Sequence, residues 1–416
     1  MIKLGIMFSG QGSQYAGMGR SLAAKSAIAR RIFDQASNIL GYDLTAVMNE
    51  TGSDRLEQTE YAQPAIFAYS YAWYQMLVEE TFLAPAFGAG HSLGELTALA
   101  CAEVLPFEEA LRLIQKRGTC MQRATESGFG RMAAIKGVHV SVIEEVCARL
   151  SDPERLVQIS NYNSADQTVI SGESQQVQHA VDLLVKLGGT AYPLHVSAPF
   201  HTPYMNSANA EFTAALQHVN VANGSWPVIS NVDAQPYRDK KYVRAGLQSH
   251  MLHPVRWSES IACMLRQGVN VLIEIGPRAA LRNTIRQAYP HIRSFSVDHD
   301  YDEIIEILRD LQQQSRSTVT AACLSMAQLI PNRNSIMDEY TSGVVHACQQ
   351  LTNRNLHMQQ EGWHETEEER REALQLLQGI LRTKKATEEE AWNCYMQISA
   401  ETGLPLSAVI QEHAVK

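Results

Sequence analysis

No run in the 416 residues approaches the roughly eighteen consecutive apolar residues that a membrane-spanning helix requires, so no part of the chain is expected to cross a bilayer. The opening stretch, Met1 to Phe8, is apolar too briefly before Ser9-Gly10-Gln11 to form the core of a secretory signal, and a cytoplasmic location is expected. Paired cysteine spacings are missing too. The seven cysteines (Cys101, Cys120, Cys147, Cys263, Cys323, Cys348 and Cys394) are scattered and none forms a CxxC, which excludes zinc-ribbon and dithiol redox chemistry and predicts reduced, mostly buried thiols. A basic excess is absent: with a formal charge of -9, nucleic acid is excluded as a general partner, because phosphate binding needs a cationic face.

What remains is an ordinary globular composition, 45% apolar and 19% charged, in a chain too long for one core. Leu4 to Phe8 reads as a buried strand and Gly17 to Leu40 as a helix, the opening of an α/β fold. Further strands are expected at Trp226 to Val232, Val269 to Ile275 and Ile292 to Val297, separated by helical stretches, as in a largely parallel sheet. Between Arg131 and Val196 the order changes. A strand (Met132 to Ile135) precedes a helix opening at Ser141 with Glu144 in capping-box register; strands follow near Leu156 to Ser160 and Gln167 to Ile170. A second helix carrying Val177, Ala180, Val181 and Leu184 stops at Gly188, before a last strand from Thr190 to His195. This βαββαβ order is that of a ferredoxin-like unit. The expected organisation is an α/β-hydrolase-like catalytic body over 1–128 and 199–314, a ferredoxin-like subdomain inserted at 129–198, and a helical C-terminal extension over 315–416. In that extension three or four helices are expected, with capping boxes at Thr366/Glu369 and Thr387/Glu390, and their apolar stripes must cover each other, the body or a partner.

The residues Gly88-Ala89-Gly90-His91-Ser92-Leu93-Gly94-Glu95 contain GxSxG between a short apolar stretch and a helix-like Leu96 to Ala100. That setting marks a nucleophile elbow, in which a serine on a sharp strand-to-helix turn leaves no room for side chains at its flanks. A nucleophilic serine needs a base and oxyanion donors. His91 is adjacent, but neighbours diverge at such a turn, so a packing role is expected for it. Among the other histidines, His201 in Val196-Ser197-Ala198-Pro199-Phe200-His201 sits where the insert rejoins the body, and His195, His250 and His253 stay in contention on spacing alone.

Eight segments together resemble the malonyl-CoA:acyl carrier protein transacylase family, and within it the trans-acting acyltransferases of modular polyketide synthases. They are Phe8 to Gln14, Thr59 to Ala65, Gly90 to Glu95, Gln115 to Gly118, Asn161 to Gly172, Ala198 to His201, His253 to Trp257 and Glu274 to Pro277, in family order within residues 4 to about 312. The resemblance implies Ser92 as acylated nucleophile, His201 as base, and the amides of Gln11 and Leu93 as oxyanion hole. It implies Arg117 as the fork that grips a malonyl carboxylate, and Phe200, Met121 and Met132 as residues setting acyl selectivity. Gln63, His91, Asn161 and Asn163 would support the site, and the carbonyl of Arg256 would orient His201. It implies no metal or redox cofactor, since malonyl-CoA is a substrate. The implied partners are an acyl carrier protein with its phosphopantetheine and polyketide synthase modules, and Lys116, Arg123, Lys240 and Lys241 are candidates for a basic rim facing the carrier. Arg131 departs from the family pattern, and its charge is expected near the site.

Alternative readings are a fatty-acid malonyl transferase and an editing acyl hydrolase of the same fold, the latter disfavoured by Arg117. A lipase is disfavoured by the lack of a His-Gly-Gly-Gly segment, and a docking module with a decayed enzyme by the intact Ser92, His201 and Arg117.

Overall fold

The computed structural model describes residues 2–409 except 53, 82, 84, 127, 153, 195, 197, 316, 362–364, 403 and 405–408. His195 and Ser197 therefore lie outside the described residues. The described strands are β1 (Leu4–Phe8), β2 (Phe87–Gly90), β3 (Gly130–Lys136), β4 (Val157–Tyr162), β5 (Gln167–Glu173), β6 (Thr190–Pro193), β7 (Val228–Ile229), β8 (Val271–Ile275) and β9 (Arg293–Ser296). They form two sheets.

The first sheet has the order β7-β2-β1-β8-β9 and is parallel throughout. Its central strands β1 and β8 are buried along their whole length, which is why Leu4-Gly5-Ile6-Met7-Phe8 reads as a continuous apolar run and not as an alternation. Helices pack against it, among them Thr59–Glu80, Leu93–Cys101 and Trp257–Arg266, and Phe107–Glu126 packs in turn on Thr59–Glu80. The fold class is α/β, as the pattern of elements implies.

The second sheet has the order β4-β5-β3-β6, antiparallel throughout, with helices Val140–Leu150 and Ser174–Lys186 between its strands. Ile135, Ile143, Ile159, Ile170, Val177 and Leu184 close a core of their own there. This is the ferredoxin-like unit, joined to the body by side-chain bonds such as Leu156 N to Tyr204 and Gln158 to His201 O, and by main-chain bonds at β4. Val255 donates to Ser160 O at 2.8 Å and accepts from Tyr162 N at 2.9 Å, a parallel bridge between β4 and the body.

Three local expectations are corrected. The Gly17 to Leu40 helix is two helices, Met18–Lys25 and Ala27–Leu40, because Ser26 is extended and its hydroxyl caps the second one, accepting from Ile28 N and Ala29 N. The helix after β3 is capped by His139, whose ring accepts from Ser141 N, so Ser141 lies inside the first turn and forms no box with Glu144. The strand expected over Trp226 to Val232 shrinks to two residues. Pro227 has no N–H to give, and a turn in which Ser230 N donates to Gln235 O and Ala234 N to Ser230 O ends the pairing.

The chain divides into two compact units, Met1–Arg309 and Asp310–Lys416, so the division falls within the helix Tyr301–Ser315, five residues before the boundary expected from composition. In the second unit the stripes cover each other: Val319, Cys323, Met326, Leu351, Leu374, Leu377, Ile380 and Ile398 form one buried cluster. The helix Val319–Leu329 in its midst is held at both ends by complementary charge. Glu365 accepts from Val319 N and Thr320 N, both at 2.7 Å, and Lys384 Nζ donates to Ala327 O and Ile330 O, both at 2.8 Å. Both capping boxes form, at Thr366/Glu369 and at Thr387/Glu390.

No helix among the described residues is long and apolar enough to cross a membrane. All seven cysteines are free thiols, Cys348 half-buried and the rest buried.

Candidate active site

Ser92 follows β2 directly and opens the helix Leu93–Cys101 with φ 52° and ψ -107°, a conformation that costs a residue with a side chain about 1 to 3 kcal/mol. The flanking glycines allow the turn. A Cβ on Gly90 would stand 1.8 Å from the Gly94 carbonyl carbon, and one on Gly94 would stand 2.2 Å from the Phe8 carbonyl oxygen. No other residue type fits at either position without moving the backbone.

His201 Nε2 lies 2.8 Å from Ser92 Oγ. Its Nδ1 faces two carbonyl oxygens, His250 O at 3.1 Å and His253 O at 3.2 Å. Carbonyls only accept, so Nδ1 carries the hydrogen and a neutral ring offers its Nε2 lone pair to the serine hydroxyl. Burial holds the imidazole well below its usual pKa, and His250 and Arg117 lower it further, so the ring is neutral at physiological pH. The orienting carbonyl is therefore not that of Arg256, which accepts from Ser260 while its guanidinium pairs with Glu259. Arg256 opens the helix Trp257–Arg266, and its carbonyl is spent on that helix.

Arg117 comes from the helix Phe107–Glu126 and is 1% exposed. One terminal nitrogen donates to Gln63 Oε1 at 2.9 Å and the other to Ser92 Oγ at 3.0 Å, while Nε has no hydrogen-bond partner among the described residues. Burial pulls the guanidinium down to about 10, which leaves it charged at neutral pH. Gln63 is held in turn, its Nε2 facing Gln11 Oε1 at 3.3 Å and Met121 Sδ at 3.4 Å. Leu93 is the first residue of its helix, so its N–H is one of the four a helix leaves without an internal partner.

A cavity of about 940 Å³ joins these groups, a volume suited to an acyl thioester arm. Gln11, His91, Ser92, Arg117, Met121, Met132, Asn161, Asn163, Phe200 and His201 all line it. Gln63 and Leu93 are buried behind that lining. His91 packs edge-on against Trp257 and bonds Asn163 Oδ1 at 2.8 Å, the supporting role expected of a neighbour of the serine. Asn161 accepts from Ser160 Oγ at the bulge in β4.

Other expectations fail. Arg131 points away, to Gln178 at 3.0 Å on the outside of the subdomain, because alternate residues of β3 face opposite sides and Met132 takes the inward one. Lys116 and Arg123 both pair with Glu211 at 2.7 Å, which leaves neither as an open cation, and their hydrogen bonds to it pull that carboxyl down to about 2. Lys240 and Lys241 are exposed and do not line the cavity. Among the described residues no group of three or more His, Cys, Asp or Glu is placed to hold a metal ion.

The profile of the acyl transferase domain family matches residues 6–329. This chain belongs to that family. A malonyl CoA-acyl carrier protein transacylase of Bacillus subtilis is 38% identical over 319 residues, covering 77% of this chain and 79% of the relative. The solved malonyl CoA-acyl carrier protein transacylase of Coxiella burnetii matches with a TM-score of 0.72 at 35% identity, over 74% of this chain and 98% of that one. A type II polyketide synthase acyl carrier protein in complex with its malonyl-transacylase matches with a TM-score of 0.70 at 34% identity, over 74% of this chain and 99% of that one.

In this acyltransferase the sequence pattern did not disclose what lies under the elbow. Asn231 accepts from Ser92 N at 2.8 Å and donates to Gly90 O at 2.7 Å, fixing the turn from below. Its own N–H donates to the fully buried Glu95 at 2.9 Å, and Tyr237 donates to the same carboxylate. Asn231 belongs to Ser230-Asn231-Val232, an ordinary turn sequence. Only its place at the carboxyl end of β7, beside β2, gives it the role.

Proposed function

We propose that this acyltransferase moves a malonyl group from malonyl-CoA to the phosphopantetheine thiol of an acyl carrier protein through an ester on Ser92, and that it serves a polyketide synthase in trans. The observation that carries the reading is the buried Arg117 guanidinium 3.0 Å from Ser92 Oγ, inside the cavity and with Nε unpartnered among the described residues. A buried cation beside a nucleophile suits an acyl group that ends in a carboxylate, and its planar fork can hold both oxygens.

The Ser92 hydroxyl attacks the thioester carbonyl while its proton passes to His201 Nε2, and the amides of Gln11 and Leu93 receive the developing oxyanion. The carbon–sulfur bond then breaks, and coenzyme A leaves with that proton as its thiol. The carrier thiol next gives its proton to His201 and attacks the ester, which returns Ser92 to its hydroxyl form. Phe200, Met121 and Met132 are buried around the acyl end, so a branch on the acyl chain costs about 1 to 3 kcal/mol per methyl.

Intact-protein mass spectrometry tests the cycle. Malonyl-CoA alone should give an adduct on the wild-type protein, and added carrier protein should discharge it onto its thiol; free malonate without carrier acylation would mean hydrolysis instead. Arg117→Ala should narrow the malonyl-to-acetyl preference by about 10- to 100-fold, since hydrogen bonds to a charged group contribute about 1.5 to 3 kcal/mol. An unchanged ratio of loading rates for malonyl-CoA and acetyl-CoA would remove Arg117 from that role.

The polyketide assignment is tested at the second unit. The solved relatives named above cover 74% of this chain, nearly their entire length, while residues 310–416 carry a separate core. Deleting them should leave loading by malonyl-CoA intact and slow transfer to a synthase-borne carrier, measured against a free-standing fatty-acid carrier. Equal slowing for both carriers, or none, would remove the assignment.

A further inference from the structure

Both partners of the serine–histidine pair have an unusual backbone for residues with side chains, Ser92 at φ 52° and His201 at φ 60°. Neither conformation is self-supporting, and something beneath must hold it. Under Ser92 that support is Asn231, bonded to the elbow amide and to the end of β2. Beside His201 it is the main chain of His250, whose carbonyl receives Nδ1.

These two supports converge on one side chain. Glu95 is 0% exposed and sits in the first turn of the helix that Ser92 opens, where the positive end of the helix dipole favours an anion. Its Oε2 accepts from Asn231 N at 2.9 Å and lies 3.2 Å from His250 Nε2; Oε1 accepts from Tyr237. His250 is itself buried, and neither ring nitrogen has a hydrogen-bond partner among the described residues, so the Glu95 carboxyl, 3.2 Å away, is the polar group set against its ring.

We infer that Glu95 is a positioning residue that sets both halves of the pair at once, the serine elbow through Asn231 and the histidine through the main chain of His250. The carboxylate is displaced from the place an acid holds in a serine–histidine–acid triad: it holds the residue whose carbonyl takes the imidazole N–H, not the imidazole itself. Because one anion serves both supports, disturbing it misplaces nucleophile and base together, and an error of about 1 Å costs on the order of 100-fold in rate. The inference rests on the reading of Ser92 and His201 given above.

Rapid-quench acylation with malonyl-CoA, followed by intact mass, tests it. Glu95→Gln keeps the shape and removes the charge. It should lower the acylation kcat by about 10- to 100-fold while KM for malonyl-CoA changes less than about twofold. A part played only in stability would lower Tm and leave kcat in place.

A second pair keeps the test informative should Glu95→Gln fail to fold. His250→Leu fills the same buried space without a donor and should lose rate, and His250→Gln, with an amide N–H for Glu95, should recover most of it. A Glu95→Gln enzyme with wild-type kcat, or a His250→Gln enzyme no better than His250→Leu, overturns the inference. Absence of any adduct on the wild-type protein would instead overturn the Ser92 reading and take this one with it.

Discussion

Replacing Ser92 by alanine is expected to eliminate the malonyl adduct and to lower carrier acylation by about 10⁴- to 10⁶-fold, the range seen when a hydrolase loses its nucleophile. The oxygen removed lies within hydrogen-bond reach of both His201 Nε2 and the Arg117 guanidinium, at 2.8 and 3.0 Å. No thiol replaces it, because none of the cysteines lines the cavity. The fold should survive: alanine meets the same backbone penalty at φ 52° as serine, and the Asn231 bond to the Ser92 amide does not involve the side chain. Affinity for malonyl-CoA should persist, since Arg117 and Gln63 remain. Intact mass, carrier acylation and calorimetric titration with malonyl-CoA check the three statements together, and a Ser92→Ala protein that still formed the adduct would move the nucleophile elsewhere.

His201→Ala is expected to cost about 10²- to 10⁴-fold in acylation, the usual contribution of a positioned general base. The wild-type rate should hold well below pH 6.5, because burial and the neighbouring His250 and Arg117 keep the imidazole unprotonated there; the variant's residual rate should lack that acid limb. Stability should respond as well. An unfolded chain takes up this proton near pH 6.5, the folded chain only at lower pH. Between the two values the unfolded state binds more protons, so stability is lost as pH falls through that window. His201→Ala should flatten this part of the stability profile. Stopped-flow acylation and urea titrations from pH 5 to 8 would measure both, and an unchanged acid limb in the variant would deny His201 the role of base.

Much of the site was legible because its chemistry is local in sequence. The elbow needs glycines at 90 and 94 for steric reasons that any reader of Gly90-His91-Ser92-Leu93-Gly94 can apply, and β1 needs five apolar residues because both its faces are covered. The ferredoxin-like unit was equally readable, since each helix and strand carries its own periodicity. Contacts made by main-chain atoms leave no such trace. Nothing in the identity of His250 or His253 tells that their carbonyls meet Nδ1 of His201, so the family register points to Arg256, a few residues further on. Glu95 was visible as a letter in the elbow motif, but its partners Asn231, Tyr237 and His250 lie more than 130 positions away and are joined to it only by the packing of β7 beside β2. Lys116 and Arg123 misled for the converse reason. Their charge is plain in the sequence, and its neutralisation by Glu211 is not.

The bridge between Val255 and β4 bears on how cargo enters and leaves. Residues 250–257 run from the carbonyls that steady the imidazole, through a bond from Arg256 N to Asn231 O beneath the elbow, to the edge of the smaller sheet. A clamshell motion of the smaller sheet against the larger would pull on that strap and tilt the ring away from the hydroxyl. Traffic at this cleft is therefore best served by side-chain rearrangement at a rigid doorway, with the two halves of the pocket riding as one piece through each turnover.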